Sequence, residues 1–177
     1  VMLINIHVGS YATPGAGEPD FRTQWGTAID GQAGVAGYPA GTVNRATFNG
    51  IAPQGSPGTT ALSRGDWAAA CSDIMAQPSY VNLGAQASYD MSTGILTVNT
   101  ETYYTSSTSN TNVLHVAVVE NNVPGPQSGA ANYNPGAIIS GPWSPTYNHQ
   151  HMLRHLMDGA TGLEFNVTTA GTFVPNT

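Results

Sequence analysis

Apolar positions in the first part of the chain follow both strand and helix periods. Residues 2–8, MLINIHV, form an apolar run of strand length, as in a covered central strand. Phe21, Trp25 and Ile29 recur at the i, i+4, i+8 spacing of one helix face. Residues 42–50, TVNRATFNG, have the composition of a further strand. The pattern therefore predicts a mixed α/β arrangement for this part of the chain.

Local signals set the expected ends of two helices. Pro19 suits the first turn of the first helix, and Gly31 and Gly34 are expected to end it. Ser63 is a natural N-cap for the second helix, and Pro78 is expected to stop it because proline cannot continue the hydrogen-bond ladder. A change of character after Pro78 predicts two domains, 1–78 and 79–177.

Strand-like alternation dominates after residue 78. The segments 81–90 and 95–107, separated by MSTG, predict a hairpin of two long strands. Further strands are expected at 110–122, 148–156 and 163–169. The chain is therefore predicted to be an α+β protein with an all-β second part.

Composition limits the classes of partner. Charged residues make up 8% of the chain, which has a net charge of −6 and four arginines but no lysine. No basic stripe exists to bind phosphates, so nucleic acid and anionic lipid headgroups are poor partners. No apolar stretch reaches the length of about 20 residues that a membrane-spanning helix needs. Cys71 is the single cysteine, which rules out an internal disulfide or a Cys-x-x-Cys pair within these residues; a small buried hydrophobe is its expected role.

Five segments in series resemble one protein family. They are INIHVGSYATP, PDFRTQWGTAI, AGYPAGTVNR, VNLGAQASYD and HQHMLRHL, and together they resemble the outer membrane protein 28 family of Gram-negative bacteria. The resemblance implies a partial thioredoxin-like domain over 1–78 followed by an immunoglobulin-like β-sandwich over 79–177. It also implies an extracellular or outer-membrane surface location, as a lipoprotein or a substrate of type IX secretion, and no assigned activity.

The resemblance also bears on the start of the chain and on one turn. The family's first domain begins with a further strand and helix, which carries Cys-x-x-Cys where that motif is present, and Val1 follows that point. We therefore expect either that residues precede Val1 or that another chain completes the sheet edge. The resemblance implies a cis peptide bond at Pro39. Tyr38 and Pro39 then form a candidate peptide-docking edge, with a rigid turn as the alternative.

Three histidines are candidate metal ligands. In one extended strand, His149, His151 and His155 would project from the same face, and imidazole suits zinc, copper or nickel. A transition metal is therefore a candidate cofactor. The alternative is that these side chains pack and hydrogen-bond across strands. His7, near the end of the first apolar run, is expected to be a buried, hydrogen-bonded imidazole.

Aromatic residues on a charge-poor surface are candidate interface residues. Because strand side chains alternate, one of Tyr103 and Tyr104 must point away from the core. Trp143 and Tyr147 lie in or beside 121–147, a Pro- and Gly-rich segment without periodicity that is expected to be a long loop or arm. The alternative role of these aromatic side chains is to cover the core.

No catalytic constellation is present in the sequence. There is no Gly-x-Ser-x-Gly elbow, and the absence of lysine excludes a phosphate-binding loop. The expected function is a non-catalytic surface or extracellular module that binds other surface proteins, copies of itself, a glycan or a peptide. Two alternatives stay open: a thiol-disulfide oxidoreductase-like protein with active cysteines upstream of Val1, and a histidine-based metal-binding surface protein.

Overall fold

The structure is a computed structural model that describes residues 2–108, 111–166 and 171–173. It contains helices together with sheets in which all the strands pair antiparallel, which confirms the predicted α+β class. The helices are α1 (Gln24–Ala33), α2 (Trp67–Met75) and α3 (Ala130–Tyr133). The strands are β1 (Val81–Asp90), β2 (Ile95–Tyr104), β3 (Thr111–Leu114), β4 (Ala117–Glu120), β5 (Val123–Pro126), β6 (Ile138–Ile139), β7 (Thr146–His149), β8 (Met152–Leu156), β9 (Leu163–Asn166) and β10 (Gly171–Phe173).

Contacts between residues divide the chain into two compact units. The first unit comprises Val1–Ala70 and His115–Gly162, and the second comprises Cys71–Leu114 and Leu163–Thr177. This partition differs from the predicted division at residue 79, because it assigns much of the later chain to the first unit. Strand pairing accounts for the second unit: β1-β2-β10 form one sheet there and β3-β9 another.

The first unit is held together by pairing between distant segments. It contains the sheets β4-β8 and β5-β7-β6. Asn5 pairs with the beginning of β8 through a parallel bridge to Met152: its backbone N–H donates to the His151 carbonyl (2.7 Å), and its carbonyl accepts from the Leu153 N–H (2.9 Å). The predicted strand at 2–8 therefore contributes a single bridge rather than a full ladder.

Helix α1 begins later than its proline suggested. The Thr23 hydroxyl accepts a hydrogen bond from the Gly26 N–H (2.9 Å), so Thr23 is the N-cap and the helix begins at Gln24 rather than near Pro19. Its end agrees with the prediction, because Gly34 takes the left-handed conformation (φ 68°) that closes a helix. Helix α2 follows a 3₁₀ turn at Arg64–Asp66 for which Ser63 is the N-cap residue.

The predicted strand at 42–50 was wrong. Asn44 and Arg45 have φ angles of 48° and 49°, in the left-handed region, which is incompatible with extended backbone. Only isolated bridges occur there, from Gly41 to Leu62 and from Phe48 to Ile51.

Two predicted strands are each broken in the structure. The segment 110–122 contains β3, which pairs with β9, and β4, which pairs with β8. The segment 148–156 is interrupted at His151, whose φ of 53° separates β7 from β8. The expected loop at 121–147 was also wrong, since β5, α3 and β6 lie within it and β5 and β6 both pair with β7.

A close approach of backbone to an aromatic ring organises the core of the first unit. Phe21 clusters with Val123 and Met152, all of them buried. Gly125 on β5 lies directly against the Phe21 ring, and a Cβ atom there would overlap the ring and contact His149. The absence of a side chain at residue 125 therefore lets Phe21 enter the core.

We predict that Gly125→Ala lowers the free energy of unfolding by about 1–3 kcal/mol, because the added methyl group forces the Phe21 ring to move. Chemical denaturation measures this change. Gly31→Ala is the matched control: a Cβ at Gly31 meets nothing within 4 Å, and alanine within a helix is expected to stabilise by about 0.5–1 kcal/mol. Equal stability of the two variants would contradict the role given to Gly125.

Candidate functional site

Two histidines and two aromatic rings meet in the first unit. The ring centroids of His7 and His149 are 4.9 Å apart, with the planes at 72°. Phe21 lies 5.3 Å from each of them, and Tyr147 lies 4.9 Å from His149. We call His7, Phe21, Tyr147 and His149 the histidine cluster.

His149 is the polar residue at the centre of this cluster. Its side chain is 0% exposed, and neither ring nitrogen makes a hydrogen bond of ordinary geometry. Burial lowers the pKa of His149, and the backbone of Pro126 acts in the opposite direction by favouring the protonated ring. A buried polar group without a partner costs on the order of 1–3 kcal/mol, so this position calls for a functional explanation.

His7 is partly buried and is held neutral. Its pKa is lowered from 6.5 to about 4, mainly by burial and then by the nearby His149 and Arg154. Arg154 itself is paired with Glu120, with Nε and Oε2 2.8 Å apart. Both imidazoles of the cluster are therefore uncharged at neutral pH, with ring nitrogens able to accept a proton or a metal ion.

The structure does not bring the three predicted metal ligands together. His149 is buried in the cluster, whereas His151 is exposed at the break between β7 and β8. His155 packs on Trp25, with ring centroids 4.1 Å apart. Within the described ranges, no group of three or more His, Cys, Asp or Glu side chains is placed to hold a metal ion. The histidine that does contact His149 is His7. The spacing of histidines along one strand gave no indication of this contact.

The Tyr38–Pro39 turn has the expected cis peptide bond. The Tyr38 hydroxyl donates to Asp30 Oδ1 (3.0 Å), and burial with this bond raises the pKa of Tyr38. Its ring also lies 6.4 Å from that of Tyr11. The hydroxyl and the ring of Tyr38 thus have partners inside the first unit, and its side chain remains partly exposed.

Trp143 and Tyr147 lie in structured backbone. The Trp143 N–H donates to Thr146 Oγ1, and its carbonyl accepts from the same hydroxyl, each at 2.9 Å. The Tyr147 hydroxyl accepts from the Asn134 side chain (2.8 Å). Both aromatic residues are half-buried, so each covers part of the unit and presents part of its surface.

A shallow cavity of about 130 Å³ also lies in the first unit, lined by Ile29, Gln32, Ala33, Thr42, Arg45 and Thr60. Arg45 Nη1 donates to His115 Nε2 (3.0 Å). Burial and the Arg45 charge lower the pKa of His115, while Asp158 and the backbone of Gly159 oppose this. None of the sequence-predicted site residues lines this cavity.

The second unit presents a long hairpin. Strands β1 and β2 pair over ten residues each, from Val81 opposite Tyr104 to Asp90 opposite Ile95. Tyr104 is 1% exposed and Tyr103 is 50% exposed, which confirms that one of the two points away from the core. Sequence reasoning missed the exposure of β1 itself, although its alternation of small, polar and apolar residues was a signal.

Comparison with known protein families, with curated proteins and with solved structures finds no match for this chain. Of the helices that the structure describes, none combines the length and apolar character needed to cross a membrane.

The histidine cluster predicts a pH dependence of stability. The ordinary pKa of 6.5 applies in the unfolded chain and a pKa of about 4 applies to His7 in the folded chain, so between these values the unfolded chain binds more protons. The free energy of unfolding is therefore expected to fall as the pH decreases from 6.5 towards about 4. Denaturant midpoints across this range measure the slope. His7→Gln should flatten it, and a slope equal to that of the wild-type chain would contradict the prediction.

Proposed function

We propose that this protein is a non-catalytic extracellular or cell-surface assembly module whose partner is a second copy of the same chain. The observation that carries the proposal is the exposed edge of strand β1 in the second unit. Every residue of β1 after Val81 is exposed. Among the described residues, β2 is the only strand that pairs with β1, so its other edge presents unpaired N–H and C=O groups.

Length and charge both favour pairing at this edge. Natural strands are most often about 5–6 residues long, whereas β1 has ten. Proteins that avoid pairing protect their edge strands with lysine, proline or inward-pointing charges. Strand β1 contains neither lysine nor proline, and its one charged residue is Asp90 at the end. The free edge therefore lacks the usual barriers to strand addition.

Apolar side chains are exposed on one face of the hairpin, although Thr102 and Tyr104 on the same face of β2 are buried. Leu83 and Tyr89 on β1 share a face with Leu96 on β2, because directly opposed residues of an antiparallel pair lie on the same side. Leu83 is 66% exposed and Tyr89 is 58% exposed. A partner that extends the sheet would continue this apolar face and remove part of it from water.

Strand β1 is complementary to itself. Antiparallel pairing of two copies about Gln86 places Leu83 opposite Tyr89, and it places Asp90 opposite Asn82 rather than opposite the second Asp90. The apolar faces of both copies then coincide, and no like charges are opposed. Such a contact is isologous and gives a closed two-fold dimer.

The surface location is part of the same proposal and is supported by the resemblance to the outer membrane protein 28 family. So are the finer assignments of a partial thioredoxin-like domain and an immunoglobulin-like sandwich. Low charge and a surface rich in hydroxyl and amide groups are compatible with an extracellular module. Tyr38, Pro39, Trp143 and Tyr147, on the first unit, and Tyr103 are proposed as further surface for other partners, such as surface proteins, peptides or glycans.

A charge on the free edge is expected to prevent assembly. Ala85→Lys adds an ammonium group to β1 where two copies meet, and sedimentation velocity should then show the mass of a single chain instead of a dimer. The matched control is Asn99→Lys, which adds the same charge at an exposed position of β2 on the opposite face of the hairpin. Dissociation of both variants, or a monomeric wild-type chain, would contradict the proposal.

Cysteine cross-linking tests the register. In a Cys71→Ser background, Gln86→Cys is expected to form a disulfide dimer on mild oxidation, because opposed Cα atoms lie about 4.5–5.5 Å apart, within the range for a disulfide. Ser88→Cys is the control: it would face Gly84, and the two copies of residue 88 would be about 13 Å apart. A dimer in which Ser88→Cys cross-links and Gln86→Cys does not would refute this register.

A further inference from the structure

We propose that Asn49 and Gly50 form a site of spontaneous covalent modification in the first unit, where the asparagine converts to aspartate and isoaspartate through a cyclic imide. The two residues are the single Asn-Gly pair in the sequence. The site is separate from the assembly edge of β1, and neither proposal depends on the other.

The two residues lie at the centre of a tight turn. The turn connects Phe48 to Ile51, which form an isolated antiparallel bridge. Gly50 has a φ of 77°, which the third position of a type II turn requires and which glycine adopts without strain. Asn49 and Gly50 are both exposed, and a Cβ atom placed on Gly50 would meet nothing within 4 Å. Water and the Asn49 side chain therefore have open access to the Gly50 nitrogen.

The two groups that would react are not engaged elsewhere. Among the described residues, none accepts a hydrogen bond from the Gly50 N–H, and none bonds to the Asn49 carboxamide. The turn is closed by one long contact, in which the Ile51 N–H donates to the Phe48 carbonyl at 3.4 Å, whereas such bonds usually measure about 2.7–3.2 Å. The Gly50 nitrogen can therefore approach the Asn49 Cγ atom without the loss of a strong hydrogen bond.

The reaction needs only water as co-reactant. The Gly50 nitrogen loses its proton and attacks Asn49 Cγ; an N–C bond forms, and the side-chain nitrogen leaves with that proton as ammonia. Because both groups belong to neighbouring residues and close a five-membered ring, the attack is intramolecular and is favoured by proximity. Water then opens the imide. Cleavage at the former side-chain carbonyl gives aspartate, and cleavage at the former backbone carbonyl gives isoaspartate.

Two other pairs in the chain could close the same ring, by loss of water from an aspartate. They are Asp30–Gly31 and Asp158–Gly159. The glycine of the first pair lies inside α1, where its N–H belongs to the helical hydrogen-bond ladder. The glycine N–H of the second pair donates to the Leu156 carbonyl (3.2 Å). Of the three pairs, the fold therefore leaves Asn49–Gly50 ready to react.

Either product alters the surface of the first unit. Both add a carboxylate, which is ionised at pH 7, to a chain whose net charge is already −6. Isoaspartate also directs the backbone through the former side chain and lengthens it by one carbon, so the bridge from Phe48 to Ile51 cannot keep its geometry. The fraction of altered chains therefore increases with the age of the protein.

The test is incubation of the folded chain at a series of neutral to mildly alkaline pH values, followed by peptide mapping that separates the asparagine, aspartate and isoaspartate forms. We expect Asn49 to give both products at a rate that rises with pH, because hydroxide removes the Gly50 proton. Asn49→Gln should lose the reaction, since its longer side chain would have to close a six-membered ring. Asn99→Gln is the matched control: Asn99 is exposed on β2 and precedes Thr100, so this variant should react at residue 49 as the wild-type chain does.

A parallel incubation in denaturant tests the part played by the fold. Asp30 and Asp158 should form isoaspartate in the denatured chain, where their glycine N–H groups are released, and should form far less of it in the folded chain. The proposal is overturned if Asn49 stays intact in the folded chain while it converts in the denatured chain, or if aspartate forms at residue 49 without isoaspartate. It is also overturned if Asp30 and Asp158 isomerise as fast in the folded chain as in the denatured chain.

Discussion

The packing of the Phe21 ring against the bare backbone of Gly125 is the contact on which the first unit depends. It places Phe21, three residues before helix α1, against strand β5, while α1 itself contacts β8 through Trp25 and His155. The Phe21 ring also closes one side of the space around His149. A side chain at residue 125 would push the ring outward and open the buried imidazole to water. Phe21 therefore belongs both to the hydrophobic core and to the histidine cluster, so a change in the packing of one affects the other.

A low content of charged residues has different consequences in the two units. In the first unit it leaves two imidazoles facing each other with aromatic walls and without a carboxylate among the groups that shift the pKa of either ring. In the second unit it leaves a long strand edge without the charges that normally discourage pairing. Both features follow from a composition with few charged residues. Hydroxyl and amide groups hydrate a surface, but they do not repel a second copy of the chain.

The elements that sequence reasoning predicted well are those with local causes. The β1-β2 hairpin follows from two alternating segments around a four-residue turn, and the end of α1 follows from Gly34. The start of α1 was misplaced because the hydroxyl of Thr23, rather than Pro19, caps it. The three histidines were expected on one face of a strand because they are two and four residues apart. The positive φ of His151 breaks that strand. Nothing in the local sequence indicates that His7 meets His149, since pairing of distant segments brings them together.

The bridge between Asn5 and Met152 has a consequence for the order in which the protein can form. The first unit combines residues before 71 with residues 115–162, so a nascent polypeptide emerging from the ribosome cannot complete it until the second of these segments has been synthesised. The intervening hairpin, whose contacts are local, is able to form earlier. During that interval the apolar segment 2–8 lacks the bridge from Asn5 to Met152, and a holding chaperone would find a binding segment there.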